Sequence, residues 1–225
     1  MTTAGPQPTS ERAEVLGHAR IAARGYFRLD LKAPRIAGSV GPGQFVMVRC
    51  GPGPAPLLRR PISVASVDGE RISLVVKTVG PGTQWMESRA VGDPVELIGP
   101  LGNRFSLPGS GELLLVGGGI GVPPMLALAE ELQRRGFGGA VRAFVGGRTS
   151  GDLVLVDELE AAGAEVICTT EDGSAGEAGQ VTGPVAARLA AGADDTRICA
   201  CGPQGMLRAV ARLASEHDVP CEVSL

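Results

Sequence analysis

The residues best placed to do chemistry are a glycine cluster, Gly117-Gly118-Gly119-Ile120-Gly121, set between the apolar run 113–116 and the pair Pro123-Pro124. Without Cβ atoms the backbone there can approach a ligand closely. Proline suits a first helical turn, where its missing N–H would have no partner anyway. Free amides beyond such a strand–loop–helix junction are expected to receive a pyrophosphate. The order is not GxGxxG, and a tight turn with no ligand would use the same glycines. A second candidate lies upstream, where Leu58-Arg59-Arg60-Pro61-Ile62-Ser63 sets a guanidinium three residues before a hydroxyl, beside a stiffening proline. The planar fork of Arg60 suits phosphate oxygens, and Ser63 suits the edge of a heteroaromatic ring. Lys77 closes an alternating run, and Gly80-Pro81-Gly82-Thr83 is expected to open a short helix over 84–89, with Thr83 as N-cap and space for a second phosphate. Taken singly, these pieces also read as a solvated basic pair and two ordinary turns. Cys201, in Cys201-Gly202-Pro203, ends a strand, where a cysteine is ordinarily a small buried hydrophobe.

Two kinds of scaffold hold these pieces. Before residue 110 the chain has short β-type runs cut by Gly/Pro turns: 45–48, 62–64, 72–76 and 95–97. That pattern predicts an antiparallel barrel or sandwich. After it, strand-like runs at 113–116, 141–145, 165–169 and 197–200 alternate with helical spacing at Met125/Leu128/Ala129/Leu132, 156–162, 185–190 and Met206/Val210/Leu213. A last strand is expected at 220–225. The alternation predicts a parallel sheet with helices on both faces. The expected organisation is a loose tail over 1–12, a β-barrel over 13–108 and an α/β nucleotide-binding domain over 109–225, joined at Pro108-Gly109-Ser110-Gly111.

Composition narrows the classes. Twenty-one basic against 24 acidic residues give a net charge of −3, so no basic field draws nucleic acid or anionic lipid. The 34 glycines and 17 prolines would suggest low complexity, but 44% hydrophobic and 20% charged residues are globular proportions. The longest uncharged run, 113–129, is short and broken by glycine and proline, which argues against a membrane span. The N-terminus lacks the apolar core of a signal peptide, so a cytoplasmic location is the expectation. Five scattered cysteines form no CxxC pair, so neither a disulfide scaffold nor a four-ligand metal site is expected.

In combination the pieces resemble the ferredoxin reductase-like flavoprotein superfamily, and within it the electron-transfer subunits of NAD-dependent dihydroorotate dehydrogenase. The resemblance is carried by LLRRPISVAS (57–66), KTVGPGTQWM (77–86), IGPLGNRF (98–105), LLLVGGGIGVPPM (113–125), TTEDGSAGEAGQVT (169–182) and CGPQGM (201–206). It implies that Arg60, Pro61, Ile62 and Ser63 hold FAD, with Arg60 on the pyrophosphate and Ser63 facing the isoalloxazine. Val75, Val76 and Lys77 would flank the flavin, and Gly82 and Thr83 would cap its diphosphate. Gly118, Gly119, Ile120, Gly121, Val122, Pro123 and Pro124 would receive NAD(H). Cys201, Gly202 and Pro203 would lie near the nicotinamide with Met206 in support, Ser63 and Cys201 being the residues nearest the chemistry. A catalytic dihydroorotate dehydrogenase subunit is the implied partner, in a hetero-oligomer of pyrimidine biosynthesis. The family also carries a four-cysteine loop for a 2Fe-2S cluster beyond the strand matching CEVSL, and no such loop stands in this sequence. A stand-alone NAD(P)H reductase of the same fold and a nucleotide-binding regulatory module remain open alternatives. So does NADH against NADPH, since Arg148 suits a 2′-phosphate while Asp152 and Glu171 oppose it.

Overall fold

The structure is a computed structural model that describes residues 7–21, 25–51, 53 and 58–224. The chain divides into two compact units, Met1–Arg104 and Phe105–Leu225. The sequence-based join at 108–111 lies a few residues further on.

In the first unit, alternating sequences build β1 (Thr9–Arg20), β2 (Tyr26–Lys32), β3 (Phe45–Val48), β4 (Arg60–Asp68), β5 (Arg71–Lys77) and β6 (Pro94–Leu101). They close into an antiparallel barrel in the order β1-β2-β5-β4-β3-β6, which settles barrel over sandwich. Val15, Leu29, Leu31, Val46, Ile72, Leu74, Val76 and Leu97 fill its core. One helix, α1 (Pro34–Ala37), follows β2, and a second, α2 (Pro81–Glu87), lies between β5 and β6.

Two expectations need correction here. Residues 9–12, read as loose tail, begin β1 and pair with β6 from Thr9↔Gly99 onward. Residues 1–6 of that tail lie outside the described residues, as do Leu57 of the LLRRPISVAS segment and Leu225 of the last strand. Charged residues hid the strand, Arg12 and Glu14 on its outward face and Glu11 on the face of Ala13 and Val15, and a register shift between Val15 and Gly17 broke its period of two. Glu11 has a specific task. Its carboxylate accepts from the amides of Arg35 (3.0 Å) and Ile36 (2.9 Å), capping α1, whose N-cap Ala33 has no side-chain acceptor. The second correction concerns α2, which starts at Pro81 rather than Gln84, with Gly80 as N-cap. Thr83 is the third helical residue and reaches back to the turn that precedes it.

The second unit alternates β7 (Glu112–Gly118), α3 (Pro123–Arg134), β8 (Ala140–Gly147), α4 (Val156–Ala161), β9 (Glu165–Thr170), β10 (Glu177–Ala178), α5 (Thr182–Ala190), β11 (Thr196–Cys201), α6 (Gln204–Glu216) and β12 (Cys221–Ser224). The sheet is parallel in the order β10-β9-β8-β7-β11-β12. β7 sits inside it, buried along its whole length, which is why its sequence is a continuous apolar run. Leu114 and Val116 pack with Val185 and Leu189 of α5 and Leu207 and Val210 of α6. Leu113 and Leu115 point to the opposite face. At the amino edge of the sheet, buried Glu112 pairs with both Arg142 and Arg188, tying β7, β8 and α5 together. Among the described residues no helix is long and apolar enough to cross a membrane.

Candidate functional site

In the barrel unit, β4 carries Arg60, Pro61, Ile62 and Ser63 alongside β3, in the register Val48↔Arg60, Met47↔Pro61, Val46↔Ile62 and Phe45↔Ser63. Pro61 is exposed, while Ile62 and Ser63 are half-buried. Arg60 donates to the carbonyl of Leu58 (2.8 Å), and its side chain crosses the first turn of α2. A Cβ at Gly82 would stand only 2.8 Å from Arg60 Nε, so glycine is what lets the guanidinium lie there. Residues 22 positions apart are thereby brought together. Thr83 Oγ1 accepts from the amides of Val79 (2.8 Å) and Gly80 (3.1 Å) and donates to Gly80 O (2.9 Å). Its hydroxyl is therefore committed to shaping the turn. The first backbone bond of α2 runs from Gln84 N–H to Gly80 O, so the amides of Gly82 and Thr83 precede the helical ladder. A guanidinium beside two such amides, with open space around Gly80, is a donor set that fits a diphosphate.

On β5, Val76 belongs to the barrel core, which leaves only its backbone for an outside ligand, while Val75 faces the other way. Lys77 Nζ sits 4.8 Å from the ring centre of Tyr26, its cross-strand partner. Sequence reasoning missed Tyr26 because it passed over β2, although YFRLDLK alternates and holds the chain's one tyrosine.

In the second unit the parallel neighbours β7 and β11 end side by side, with Gly117 level with Cys201. Gly119, at φ +54°, begins a single 3₁₀ turn to Gly121, and α3 follows from Pro123. The glycines do more here than leave room for a ligand. A Cβ at Gly118 would lie 2.7 Å from Met206 Sδ and 2.9 Å from Pro203 Cδ. At Gly121 it would overlap the carbonyl of Cys201 and sit 2.7 Å from Gly202 Cα. Gly202, at φ +155°, lies against Gly118 and Met206. The two loops are pressed backbone to backbone, with Met206 as the wedge beside them. Val122, Pro123 and Pro124 are buried, whereas Ile120 is 45% exposed at the crown of the turn.

The donors also differ from expectation. Pro123 and Pro124 have no N–H, and the amides of Met125 (2.9 Å) and Leu126 (3.1 Å) both donate to Val122 O. The N-terminus of α3 thus has no free amide, which leaves Gly119 and Ile120 in the turn itself as donors to an anion.

Burial pushes the Cys201 thiol above the ordinary thiol range, with a smaller opposing pull from a hydrogen bond with Ser224. A neutral thiol at pH 7 suits a packing and positioning role, not nucleophilic attack. The other cysteines stand on the barrel side (Cys50), on β9 (Cys168), on β11 (Cys199) and on β12 (Cys221), and burial raises each. Among the described residues no group of three or more His, Cys, Asp or Glu could hold a metal ion, so the residues described do not fit a 2Fe-2S cluster.

A closed antiparallel barrel followed by a parallel sheet with a glycine turn after its buried strand is the build of a ferredoxin reductase-like, NAD-binding flavoprotein oxidoreductase. The model of the oxidoreductase NAD-binding domain matches residues 115–212. The structure of an NADH-dependent reduced ferredoxin-NADP oxidoreductase, solved in a study of flavin-based electron bifurcation, superposes with a TM-score of 0.82 at 30% identity, over 95% of this chain and 75% of that one. The ferredoxin reductase of carbazole 1,9a-dioxygenase gives 0.84 at 26% identity, over 99% and 70%. The electron transfer subunit of dihydroorotate dehydrogenase B (NAD(+)) from Bacillus caldolyticus is 39% identical over 206 residues, 89% of this chain and 77% of that one. The chain belongs to the family of dihydroorotate dehydrogenase B electron transfer subunits.

Proposed function

We propose that the protein binds FAD on its barrel unit and NAD(H) on its α/β unit, and carries electrons between NAD(H) and a separate dihydroorotate dehydrogenase catalytic subunit in pyrimidine biosynthesis. The observation that carries this reading is the 39% identity to a relative bearing that name, sustained over 89% of the chain. Arg60 and the first amides of α2 would hold the FAD diphosphate, while Pro61, Ile62 and Ser63 on β4 and Val75, Val76 and Lys77 on β5 would line the flavin. Ser63 would donate its hydroxyl to a ring heteroatom. The amides of Gly119 and Ile120 would hold the nicotinamide nucleotide's pyrophosphate. Gly118, Gly202 and Pro203, backed by Met206, would give the nicotinamide a surface without projecting side chains, and Cys201 would stay a neutral neighbour. Bound flavin supplies the exchange between paired and single electrons, chemistry that no side chain here provides. The chain's own part is to bind, orient and exclude water.

Anaerobic mixing tests the reading. NADH should bleach the flavin absorbance of the purified protein, dihydroorotate alone should not, and dihydroorotate should do so only once the catalytic subunit and the family's iron–sulfur segment are both supplied. Bleaching by dihydroorotate without a partner would refute the electron-transfer role. A second reading, a stand-alone reductase, draws on the similarity to the ferredoxin reductase of carbazole 1,9a-dioxygenase. It predicts fast turnover with a soluble acceptor and no gain from the catalytic subunit. A colourless protein that binds nucleotide would instead point to a regulatory module.

A further inference from the structure

The segment 169–182 is one of the stretches that carry the resemblance, yet none of the roles above uses it. In the structure its exposed part is bonded to two neighbouring segments. Ser174 donates to Asp172 Oδ1 twice, from its amide (3.0 Å) and from its hydroxyl (2.6 Å). The same hydroxyl accepts the amide of Ser150, 2.8 Å away and 24 residues earlier. Two further bonds join these segments: Glu171 N–H to Gly147 O (3.0 Å) and Asp172 N–H to Arg148 O (3.2 Å). On its other side the loop is anchored to β9. Thr170 Oγ1 accepts from Ala175 N (3.0 Å) and donates to Ala175 O (2.7 Å), and Gly173 and Gly179 both donate to Thr170 O. Gly176, at φ +63°, has no space for a Cβ beneath the Cys168 carbonyl.

Residues 171–174 are all exposed, so this bonding does not secure a core. What it secures is the turn 148–152 at the carboxyl end of β8. Within that turn, Asp152 N–H donates to Thr149 O (3.0 Å) and Leu153 N–H to Ser150 O (3.2 Å). Its place in the sheet gives it a use. Ligands of open parallel sheets lie across the carboxyl ends of the strands. β8 neighbours β7 on the side away from β11, one strand spacing (about 4.8 Å) along. A dinucleotide with its pyrophosphate on the 119–120 amides and its nicotinamide toward β11 must therefore lay its adenosine half over the turn after β8.

We propose that Ser174 is a positioning residue for nucleotide binding: held by Asp172, it grips Ser150 and presents the 148–152 turn to the adenosine half of NADH. The inference rests on the reading of the 118–124 segment as the pyrophosphate loop.

The test uses the flavin-loaded full chain, with NADH and with reduced nicotinamide mononucleotide, which lacks the adenosine half, as electron donors. Loss of one hydrogen bond in Ser174→Ala should raise the NADH KM about 2- to 12-fold. It should weaken inhibition by AMP by the same factor, and leave kcat, flavin content and the KM for the mononucleotide unchanged. Ser174→Thr, which keeps the hydroxyl, should restore the NADH KM. A merely structural role would move both donors together, and that result would overturn the proposal. So would an unchanged NADH KM in Ser174→Ala, provided the wild type turns over. A wild type that cannot oxidise NADH would overturn the pyrophosphate-loop reading itself, and this proposal with it.

Discussion

Gly121→Ala is the sharpest test of how the 117–121 and 201–203 loops are packed. The added methyl would overlap the Cys201 carbonyl and stand 2.7 Å from Gly202 Cα. Ordinary van der Waals contact begins near 3.4 Å, and both neighbours are backbone. No rotamer can relieve the clash, so the turn or the end of β11 must shift, which strains the Gly117↔Cys201 register. Overpacking of this kind costs about 1–3 kcal/mol. At about 2–4 °C per kcal/mol for a chain of this size, melting should fall by about 2–12 °C. Gly205→Ala is the control: a Cβ there meets nothing, and alanine within α6 should stabilise by about 0.4–1 kcal/mol. Differential scanning calorimetry reads both variants. The NADH KM of Gly121→Ala, measured well below melting, should also rise, while flavin stays bound because the barrel has its own core. A Gly121→Ala variant that melts with the wild type would refute the backbone-to-backbone packing and return the glycine to a ligand-clearance role alone.

Arg60→Ala removes a charged donor worth about 1.5–3 kcal/mol, so FAD should bind about 10- to 150-fold more weakly, read as flavin lost on dialysis. Glu11→Ala leaves two amides of α1 uncapped and should cost about 1–2 kcal/mol in urea unfolding followed by the emission of Trp85, the chain's one tryptophan. Removing the buried carboxylate in Glu112→Ala leaves Arg142 and Arg188 facing each other. Because both arginines retain some solvent contact, the loss should be about 1–3 kcal/mol, and Glu112→Gln should recover part of it, both read by differential scanning calorimetry. Burial raises Cys199 furthest among the thiols above the ordinary 9.0, so its folded form favours the neutral state. Its contribution to stability is then complete below pH 9.0 and lost as pH rises from there through the raised folded value; Cys199→Ala should flatten the alkaline limb of a stability–pH curve.

The barrel and the parallel sheet were legible wherever one physical rule dominated. β7 declared itself because burial on both faces requires a continuous apolar run, and β3, with its turn GPGQ, matched its bounds to the residue. β1 and β2 were passed over for a reason that also lies in the residues. A charged Glu11 on the inward-facing set dilutes the alternation, and the shift after Val15 moves that set by one position. The start of α2 was misplaced because Thr83 is a good N-cap residue by type. Its hydroxyl reaches back from the third helical position, a geometry equally compatible with GPGT and decided only by the fold of the turn.

The glycine loop shows where residue type alone runs out. A strand, a run of glycines and a proline pair are compatible with a ligand close to the backbone, and equally with another loop close to the backbone. Here Gly118 and Gly121 clear space for Met206, Pro203 and the Cys201 carbonyl, all more than 75 residues away. No local pattern reports such a contact. The second proline has a consequence of the same kind: it silences an amide that most helix starts would expose, and the bonds of Met125 and Leu126 to Val122 O close the rest. An anion at this site therefore depends on the short turn between β7 and α3 and not on the helix end. The turn's geometry is in turn dictated by the strand beside it, so a substitution in the 201–206 segment should perturb nucleotide affinity through Gly118 and Gly121 even where it touches no ligand.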